Sequence, residues 1–404
     1  MVACEGNFPN EIYMGILVRL PVKSLIRFKV VCKSWKSTIS SAYFIDRHSD
    51  GSATNPSKLA IVLDEYSEFE SKCSIFFHTL DFSATCSGEI IIMEHPIKNC
   101  KAADPLSWCR GFLLLRVECN TTKMLLWNPS TRECKEVPNP PIPYYHYKSI
   151  FASALGYDFT IKTNKIVLIC ETPRGRHSNI FCVYNVKKNT WTSVIEDDEN
   201  HKYQAYYERA PTTLVNGAPH WWVSYDGVSH DDDCYFEIEY FDFSKNQFGV
   251  IPQPDDHDND YRAVETTELS NMEGFLCMGC FLLDNVTLWA MEVYGVKESW
   301  SKMMIFNDIV SPICFAKTDN NVSLVQSLVR KYIVQERKDR YDIYNGTERG
   351  IELKLLAGRD VTRKSAFAFS ESLISLETEL MVEEELQEPK IEFGKLIIGH
   401  SVWW

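Results

Sequence analysis

The stretch FPNEIYMGILVRLPVKSLIRFKVVCKSW, which spans residues 8–35, decides how this chain is organised. Apolar residues recur every three or four positions on both sides of a Leu20–Pro21 break, and this spacing predicts short helices with one apolar face. These residues are Ile12, Ile16, Leu20, Leu25, Phe28, Cys32 and Trp35. A unit this small cannot bury its own apolar face, so the pattern predicts that a partner surface covers it.

The same stretch is strongly basic. Six basic residues and no acidic residue lie between Ile16 and Ser40. Positive charge around the apolar positions gives electrostatic complementarity to an acidic surface. The expected partner of the helical module is therefore acidic.

In the order and spacing of its residues, this stretch resembles the F-box, a module that docks substrate receptors onto a ubiquitin ligase. The family's elements correspond to residues 8–9, to residues 16–17, to the Leu-Pro-x-Lys-x-Leu-x-Arg phrase of residues 20–27 and to the Val-Cys-Lys-x-Trp phrase of residues 31–35. The resemblance implies binding to a Skp-type adaptor and, through it, to a cullin. The alternative is an amphipathic helical hairpin that matches by chance. The family's adaptor-binding positions fall on Pro9, Ile16, Leu17, Leu20, Pro21, Leu25, Val31, Cys32 and Trp35.

Composition predicts an intracellular protein without metal or cofactor. Neither a secretory leader nor an apolar run of about 18 residues is visible, so no membrane association is expected. The 14 cysteines are spread along the chain and are interpreted as reduced core thiols. Cys277 and Cys280 form one CxxC pair, but a zinc site would need a second pair of ligands. We expect a cytoplasmic location, with the nucleus as the alternative.

Charge is distributed unevenly between the two ends of the chain. The formal net charge is −13, whereas the first 50 residues carry seven basic and four acidic residues, a net +3 that leaves −16 for residues 51–404. An acidic body disfavours nucleic acid as a partner and favours a basic protein.

A strand–turn–strand phrase recurs along the larger part of the chain. In each copy an apolar residue is followed seven positions later by a second large or apolar residue, with a polar turn between them. The first residues of the copies are Trp127, Tyr184, Phe241, Val293 and Tyr344, with separations of 57, 57, 52 and 51 residues. A strand-rich repeat of about 50 residues is typical of a kelch-like β-propeller, in which the phrase would form the last two strands of each blade. We predict a mainly β fold, a small N-terminal α module followed by a propeller-like domain of about six blades, with an unrelated β-sandwich as the alternative.

These patterns also predict domain boundaries. The helical F-box covers residues 1–45, and a polar, turn-rich segment of residues 46–58 is expected to be a linker. The propeller-like domain covers residues 59–370, in which upstream strands follow glycines such as Gly111 and Gly274. Residues 371–404 form an acidic C-terminal tail.

Four phrases of the repeat region resemble the F-box-associated domain of plants. They are LWNPSTR of residues 126–132, ALGYD of residues 154–158, NGAPHW of residues 216–221 and YGVKESW of residues 294–300. The pairing of this domain with an F-box is specific to plants, and the S-locus F-box proteins are one branch. In that branch the receptor is expressed in pollen and recognises basic style ribonucleases, which are ubiquitinated and destroyed. The resemblance implies a substrate receptor of a ubiquitin ligase, with this pollen role as its narrowest form.

No catalytic motif is present in the sequence. Glycine-rich phosphate loops, a nucleophile elbow and a His-Glu-x-x-His pattern are all absent. His220 lies in an apolar phrase beside Trp221 and is interpreted as a packed histidine with a hydrogen-bond partner. The carboxylate pair of a glycosidase stays open, since propellers host such enzymes, but nothing selects a pair. We predict a non-catalytic receptor, so that any activity belongs to the assembled ligase.

The loops that join one repeat to the next carry the residues best suited to recognition. Equivalent loops of a propeller emerge on one face, and here they combine acidic clusters with tyrosines, which offer large contact area with few rotatable bonds. We interpret this face as the binding surface for a basic protein substrate; the alternative is that the acidic residues only form solvated turns. The candidate residues are Tyr144, Tyr145, Tyr147, Asp197, Asp198, Tyr206, Tyr207, Asp255 and Asp256.

Other functions stay open from the sequence. The same fold could serve another plant protein-turnover pathway in stress, hormone response or development. It could also be a scaffold that serves no ligase, or a propeller enzyme with an appended docking module.

Overall fold

The computed structural model describes residues 10–53, 58–66, 71–79, 90–93, 102–119, 121–141, 150–171, 179–195, 203–207, 212–227, 235–254, 264–272, 274–282, 285–307, 312–318, 321–327, 340–345, 348–354 and 361–376. Within these ranges a helical N-terminal module is followed by a mainly β domain of the propeller kind, which confirms the predicted fold class. No helix in these ranges is long and apolar enough to cross a membrane.

Four helices form the N-terminal module, and the local sequence explains where they begin. They are α1 (Asn10–Leu17), α2 (Val22–Phe28), α3 (Lys33–Ile39) and α4 (Ala42–Ala53). Pro21 precedes α2 with φ −58°, a position where its missing N–H is not needed. Cys32 precedes α3 in an extended conformation, and its Sγ accepts a hydrogen bond from the backbone N–H of Trp35 at 3.4 Å. This contact caps the helix.

Helix α4 extends into the segment that the sequence predicts as a turn-rich linker, residues 46–58. The segment is helical as far as Ala53, because tertiary contacts outweigh its polar composition. His48 is buried, its Nε2 lies 3.0 Å from the carbonyl oxygen of Leu20, and its ring stacks on Phe44 with centroids 6.2 Å apart. Residues 54–57 lie outside the described residues.

The described residues contain 25 strands. In chain order they are β1 (Lys58–Tyr66), β2 (Ser71–Thr79), β3 (Ile90–Met93), β4 (Ala102–Cys109), β5 (Phe112–Glu118), β6 (Thr122–Asn128), β7 (Glu133–Val137), β8 (Ile150–Asp158), β9 (Thr163–Glu171), β10 (Asn179–Asn185), β11 (Thr190–Ile195), β12 (Tyr203–Tyr207), β13 (Thr213–Val215), β14 (Ala218–Gly227), β15 (Tyr235–Asp242), β16 (Gln247–Ile251), β17 (Val264–Met272), β18 (Phe275–Leu282), β19 (Asn285–Met291), β20 (Trp300–Asn307), β21 (Pro312–Thr318), β22 (Asn321–Ser327), β23 (Arg340–Asn345), β24 (Glu348–Lys354) and β25 (Val361–Phe369). A short 3-10 helix, Lys297–Ser299, precedes β20.

These strands pair antiparallel into sheets of mostly consecutive strands. Four sheets form the blades whose packing the structure describes: blade 1 (β4–β7), blade 2 (β8–β11), blade 3 (β12–β16) and blade 4 (β17–β20). The structure thus supports four blades rather than the about six that the repeat length predicts. Two further sheets, β21–β24 and β25-β1-β2-β3, are described through strand pairing. In the second, β25 near the C-terminal end pairs with β1, which directly follows the helical module.

The recurring phrase forms the last two strands of each blade, as the sequence predicts. In blades 1 to 3 the residues seven positions apart are direct cross-strand partners. The pairs are Trp127 with Cys134, Tyr184 with Trp191, and Phe241 with Phe248. The predicted glycines also start strands, since β5 and β18 begin directly after Gly111 (φ +84°) and Gly274 (φ +90°).

The turns of these hairpins share one local arrangement. An Asn or Asp at the end of the incoming strand accepts hydrogen bonds from backbone N–H groups of the turn, and the residue four positions later has a positive φ. In blade 3, Asp242 Oδ1 accepts from the N–H of Ser244 at 2.8 Å, and Asn246 has φ +52°. The equivalent residues are Asn128 with Arg132 in blade 1 and Asn185 with Asn189 in blade 2. Local sequence therefore fixes the turns.

The last two copies of the phrase depart from the predicted register. Strand β19 ends at Met291 and β20 begins at Trp300, so these two residues pair and Val293 lies exposed in a longer turn. In the next hairpin a register shift pairs Tyr344 with Arg349. The seven-residue spacing identifies both hairpins but gives the wrong partners where a turn lengthens or a strand bulges.

Neighbouring blades pack face to face through apolar side chains. Between blades 2 and 3, Phe181 meets Phe241 edge to face, with ring centroids 5.5 Å apart. A tryptophan at the start of a last strand also donates its indole N–H to a proline carbonyl that follows the preceding blade. These bonds run from Trp191 to Pro138 at 2.8 Å and from Trp300 to Pro252 at 2.7 Å.

Strand direction defines two faces of the domain. In each described blade, the turns between first and second strands and between third and fourth strands lie at one end, which we call the proximal face. The N–H of Tyr157 donates to the carbonyl of Gly217 at 3.0 Å and links two such turns of neighbouring blades. The opposite end, where the last strand of one blade finishes and the first strand of the next begins, is the distal face.

Residues 370–376 continue from β25 across the proximal face, so the packed domain passes the boundary at residue 370 that the sequence predicts. The buried Asn128 donates from Nδ2 to the carbonyl of Ser372 at 3.1 Å and to that of Ile374 at 2.7 Å. The N–H of Leu376 donates to Glu133 Oε2 at 2.6 Å. The rest of the predicted acidic tail, residues 377–404, lies outside the described residues.

Replacing Asn128 with alanine is expected to lower the free energy of unfolding by about 2–3 kcal/mol, because two buried carbonyls lose their donor. Asn185→Ala is the matched control, since Asn185 holds the same turn position and makes a turn hydrogen bond without a distant partner; it should cost about 1 kcal/mol. Urea unfolding gives the two values, and amide exchange locates the change. Equal costs, or unchanged exchange in residues 370–376, would show that the segment is not held by Asn128.

Candidate functional site

The helical module exposes apolar side chains that its own fold does not cover. Val30 is 86% exposed and Ile16 is 53% exposed, although both belong to residue types that are usually buried. The exposed apolar set consists of Ile12, Ile16, Ile26, Val30 and Val31. An exposed apolar surface on a small helical unit is typical of protein-binding surfaces.

The predicted adaptor-binding residues divide into three groups in the structure. Ile16, Pro21 and Val31 are exposed and available to a partner. Leu20, Cys32 and Trp35 are half-buried, and Leu17 and Leu25 are buried in the core of the module. Pro9 lies outside the described residues.

The buried members of the set support the surface rather than form it. Leu25 is fully buried with Leu17, while the rings of Phe28 and Trp35 meet edge to face with centroids 5.1 Å apart. Sequence reasoning missed Ile26 and Val30 as exposed positions. Neither lies on the apolar stripe of the helical pattern. Ile26 is in α2 and Val30 is in the turn after it, and the signal that the sequence offered was that each is an apolar residue next to a basic one, Arg27 and Lys29.

Exposed basic side chains lie in the same helical module as this apolar set, as the sequence predicts. The exposed members are Arg19, Lys23, Arg27, Lys33 and Lys36. Lys29 is half-buried, and this burial lowers its pKa, although the carboxylate of Glu133 in blade 1 acts in the opposite direction. The combination of exposed apolar and cationic side chains suits an acidic partner.

Most of the predicted substrate-binding residues lie outside the described residues. These are Tyr144, Tyr145, Tyr147, Asp197, Asp198, Asp255 and Asp256. The strands that flank them end or begin at the distal face: β7 ends at Val137, and β8 begins at Ile150. The backbone of Tyr206 and Tyr207 belongs to strand β12, where the two residues pair with Ser224 and Val223 of β14.

The distal end of blade 3 is aromatic and acidic. Tyr225 and Tyr235 are cross-strand partners whose rings stack at 4.8 Å with an angle of 4° between planes. The hydroxyl of Tyr225 donates to the buried carboxylate of Glu239, and burial raises the pKa of the nearby Glu237 carboxyl. Sequence reasoning missed these residues because they lie in strands rather than in the loops between repeats.

His220 is a structural residue, as the sequence predicts. It is buried between blades 3 and 4, with Nδ1 3.0 Å from the carbonyl of Ala218 and Nε2 2.7 Å from the hydroxyl of Tyr294. A carbonyl only accepts, so Nδ1 carries the proton and Nε2 accepts from Tyr294. Burial lowers the pKa of His220 to about 4, which keeps the ring neutral near pH 7.

The described cysteines and acidic residues form no obvious reactive site. Cys277 and Cys280 are buried, and burial raises the pKa of Cys280 to about 12, so this thiol stays protonated. Within the described ranges no group of His, Cys, Asp and Glu has the arrangement of a metal site.

Two family models match the chain. The model of the F-box domain matches residues 6–47, and the model of the F-box associated beta propeller domain matches residues 60–376. The first match covers the module with the exposed apolar surface. The second covers the blades and the C-terminal segment on the proximal face.

Curated relatives come from Arabidopsis thaliana. The F-box/kelch-repeat protein At3g23880 is 24% identical, with 76% of this chain and 82% of the relative covered. The F-box protein CPR1 is 23% identical, with 74% and 72% covered. The F-box protein At3g07870 is 25% identical, with 73% and 72% covered.

Two solved propeller structures match the chain at low sequence identity. The propeller domain of the Trilobed protease from Pyrococcus furiosus is 11% identical with a TM-score of 0.36, covering 74% of this chain and 92% of that chain. The Dos1 propeller is 8% identical with a TM-score of 0.33, covering 70% and 66%.

The neutral, buried state of His220 predicts a loss of stability in weak acid. The unfolded chain binds a proton near pH 6.5 and the folded chain only near pH 4, so this contribution is complete above pH 6.5 and falls as the pH is lowered towards 4. Between about pH 7 and about pH 5 the loss should be on the order of 2 kcal/mol. His220→Gln should be less stable than the parent near pH 7 but should lack this part of the pH dependence. Parallel pH profiles in urea unfolding would contradict the assignment.

Proposed function

Because the chain belongs to the plant-type F-box proteins that carry an F-box-associated β-propeller domain, we propose that it is the substrate-recognition subunit of a Skp–cullin–F-box ubiquitin ligase. The single observation that carries this proposal is the exposed apolar surface of the helical module, in which Ile16, Val30 and Val31 are the most exposed residues. The exposed basic side chains of the same module suit an acidic adaptor.

The division of labour follows from the two parts of the chain. The helical module binds the Skp-type adaptor and, through it, the cullin, while the propeller holds a protein substrate. Catalysis is then by proximity: a scaffold that holds substrate lysines near the ubiquitin-carrying enzyme raises their effective concentration without chemistry of its own. We place the chain in the cytoplasm, with the nucleus as the alternative, and assign it no cofactor, membrane or nucleic-acid partner.

We also propose that the two remaining sheets complete a ring of six blades. Pairing of β25 with β1 supports this, because it would close the ring with strands from both ends of the domain. In domain terms the F-box would cover residues 1–45, and α4 would continue from it as far as Ala53, into the connecting segment of residues 46–58. The propeller of residues 59–370 would carry residues 371–376 as a packed extension and the rest of the acidic tail after it.

The distal face is the proposed binding surface for a basic substrate. The acidic and tyrosine-rich segments between repeats connect strands that finish and begin at this face. The stacked Tyr225 and Tyr235, with Glu237 on the same strand as Tyr235, extend this chemistry into the described part of blade 3. Aromatic rings beside carboxylates bind lysine and arginine side chains well.

A basic ribonuclease of the style, recognised in pollen self-incompatibility, is the narrowest form of this proposal. Another plant protein-turnover pathway would use the same geometry with a different substrate. A scaffold without ligase function would bind both partners but leave the substrate unmodified. Ubiquitin transfer in a reconstituted complex separates the receptor from the scaffold.

Changing Ile16 and Val31 together to aspartate is expected to abolish binding to the Skp-type adaptor, because two exposed apolar contacts become charges that face an acidic partner. Calorimetric titration of the purified chain with adaptor should show at least a 100-fold loss of affinity. Since both side chains are exposed, the melting temperature should stay close to that of the parent. Val296→Asp is the control, an exposed apolar residue on the proximal face of blade 4. Undiminished adaptor binding by the double variant would count against the proposed function.

Reversing the charge of Asp197, Asp198, Asp255 and Asp256 to lysine is expected to weaken capture of the substrate and to flatten its salt dependence, because the attraction to a basic partner is lost. The measurement is a comparison of proteins retained from pistil and leaf extracts at low and high salt. Reversal of Glu292 and Glu298, exposed residues on the proximal face, is the control. If a captured protein is retained equally, and with the same salt dependence, by the four-residue variant and by the Glu292 and Glu298 control, the distal-face assignment is wrong.

A further inference from the structure

The helical module is joined to the propeller by an ion pair as well as by the chain. Arg110, in the proximal turn between β4 and β5, places Nη2 2.6 Å from Oδ1 of Asp46 in helix α4. The Arg110 side chain is only 10% exposed and that of Asp46 is 40% exposed. Because the Arg110 side of this charge-assisted bond is shielded from water, the bond holds its geometry better than a fully exposed pair does.

Arg110 also contacts the next blade. Its guanidinium lies over the ring of Tyr157 in β8, 4.2 Å from the ring centroid. Tyr157 in turn donates its N–H to Gly217 of blade 3 and packs edge to face on Phe159. One side chain therefore links the helical module to two blades, and through Tyr157 to a third. The positive φ of Arg110, +49°, shows that the turn adopts a costly backbone conformation at the residue that makes these contacts.

The C-terminal segment provides a second attachment at the same place. Leu373 and Ile374 are buried in one continuous apolar core with residues of the helical module and of blades 1 and 2. Asn128 and Glu133 hold the segment through hydrogen bonds. Glu133 also lies close enough to Lys29 of the module to raise the pKa of that lysine, against the effect of burial. A Cβ on Gly111 would lie 2.1 Å from the Ser372 Cβ, so the residue beside Arg110 must be glycine for the segment to pass this close.

We propose that Arg110 is a positioning residue that, together with residues 370–376, fixes the angle between the helical module and the propeller. The chain would then carry its adaptor-binding surface and its distal face as one body, and this geometry decides which lysines of a substrate come within reach of ubiquitin transfer. The fixed angle between the helical module and the propeller is independent of the proposed function. The consequence for ubiquitin transfer rests on the proposed function.

Single-molecule energy transfer on the full chain tests the geometry directly. The 14 cysteines rule out simple thiol labelling, so a ketone-bearing amino acid is introduced at Ser40 of the module and at Glu298 of blade 4, both exposed positions. The parent should give one narrow distribution. Asp46→Arg should broaden or shift it, and the charge-swapped pair Asp46→Arg with Arg110→Asp should recover most of the parent distribution. A change at Asp46 that acts only on folding would not be rescued by the swap.

Two further variants keep the test decisive. Asp46→Asn removes the charge with little risk to folding, because Asp46 is partly exposed, and it should broaden the distribution less than Asp46→Arg does. Lys123→Glu breaks a salt bridge of similar length, 2.7 Å to Glu136, on the surface of blade 1 and should leave the distribution unchanged. An unchanged distribution in Asp46→Arg, or no recovery in the swap, overturns the proposal.

A reconstituted ligase provides the functional readout, with the chain's own lysines as the probe. Mass spectrometry should find ubiquitin on a restricted set of lysines in the parent and on a different or wider set in Asp46→Arg, with adaptor affinity within about twofold of the parent. Identical lysine patterns would overturn the proposed consequence. If the parent chain itself does not bind the adaptor, the proposed function is wrong, whereas the energy-transfer result on the angle between module and propeller stays valid.

Discussion

Each sheet of this propeller has two apolar faces, and neither is buried until a neighbouring sheet packs on it. The contact of Phe181 with Phe241 between blades 2 and 3 shows how this burial is achieved. Because of this requirement the blades stack around a common axis, and their short turns gather on one face. The helical module lies over the turns of blade 1, where it shares a core with the sheets. Its own remaining apolar surface is left for a partner.

The two faces of the domain are built by different means. The proximal face consists of tight turns with Asn or Asp caps and positive-φ residues, and it makes specific hydrogen bonds to the C-terminal segment and an ion pair to helix α4. Short, capped turns suit a face that must hold another part of the chain in place. The distal face joins blade to blade through longer segments, which is where a substrate receptor of this fold has freedom to vary. This asymmetry is the physical reason for assigning assembly to one face and recognition to the other.

The repeat could be identified from the sequence because its information is local. Trp127 and Cys134, or Tyr184 and Trp191, pair across a turn whose residues are adjacent in the chain. The misassigned partners of Trp300 and Tyr344 depend on a longer turn and a register shift, which the seven-residue rule does not contain. The helical course of residues 46–53 depends on the burial of His48 against Leu20 and Phe44, a tertiary effect that polar composition conceals.

The candidate site was predictable to the same extent. Helical spacing located the apolar surface of the module but could not tell exposed Ile16 from buried Leu17 and Leu25, because all three are apolar residues of short helices. Exposed Val31 lies in the turn between α2 and α3, to which helical spacing does not apply. The contacts of Arg110 with Asp46 and Tyr157 join residues 64 and 47 positions apart in the chain, and nothing in the local sequence pairs them. The bond from Asn128 to Ile374 spans 246 positions. Such contacts become visible only once the fold is known.

Amide hydrogen exchange of the full chain, with and without a purified Skp-type adaptor, locates the surface to which the adaptor binds. We expect the adaptor to protect residues 10–35 and to leave exchange in blades 2 to 4 unchanged, because the proposed binding surface is the exposed apolar face of the helical module. Protection confined to the propeller, or no protection anywhere at saturating adaptor, would contradict this proposal.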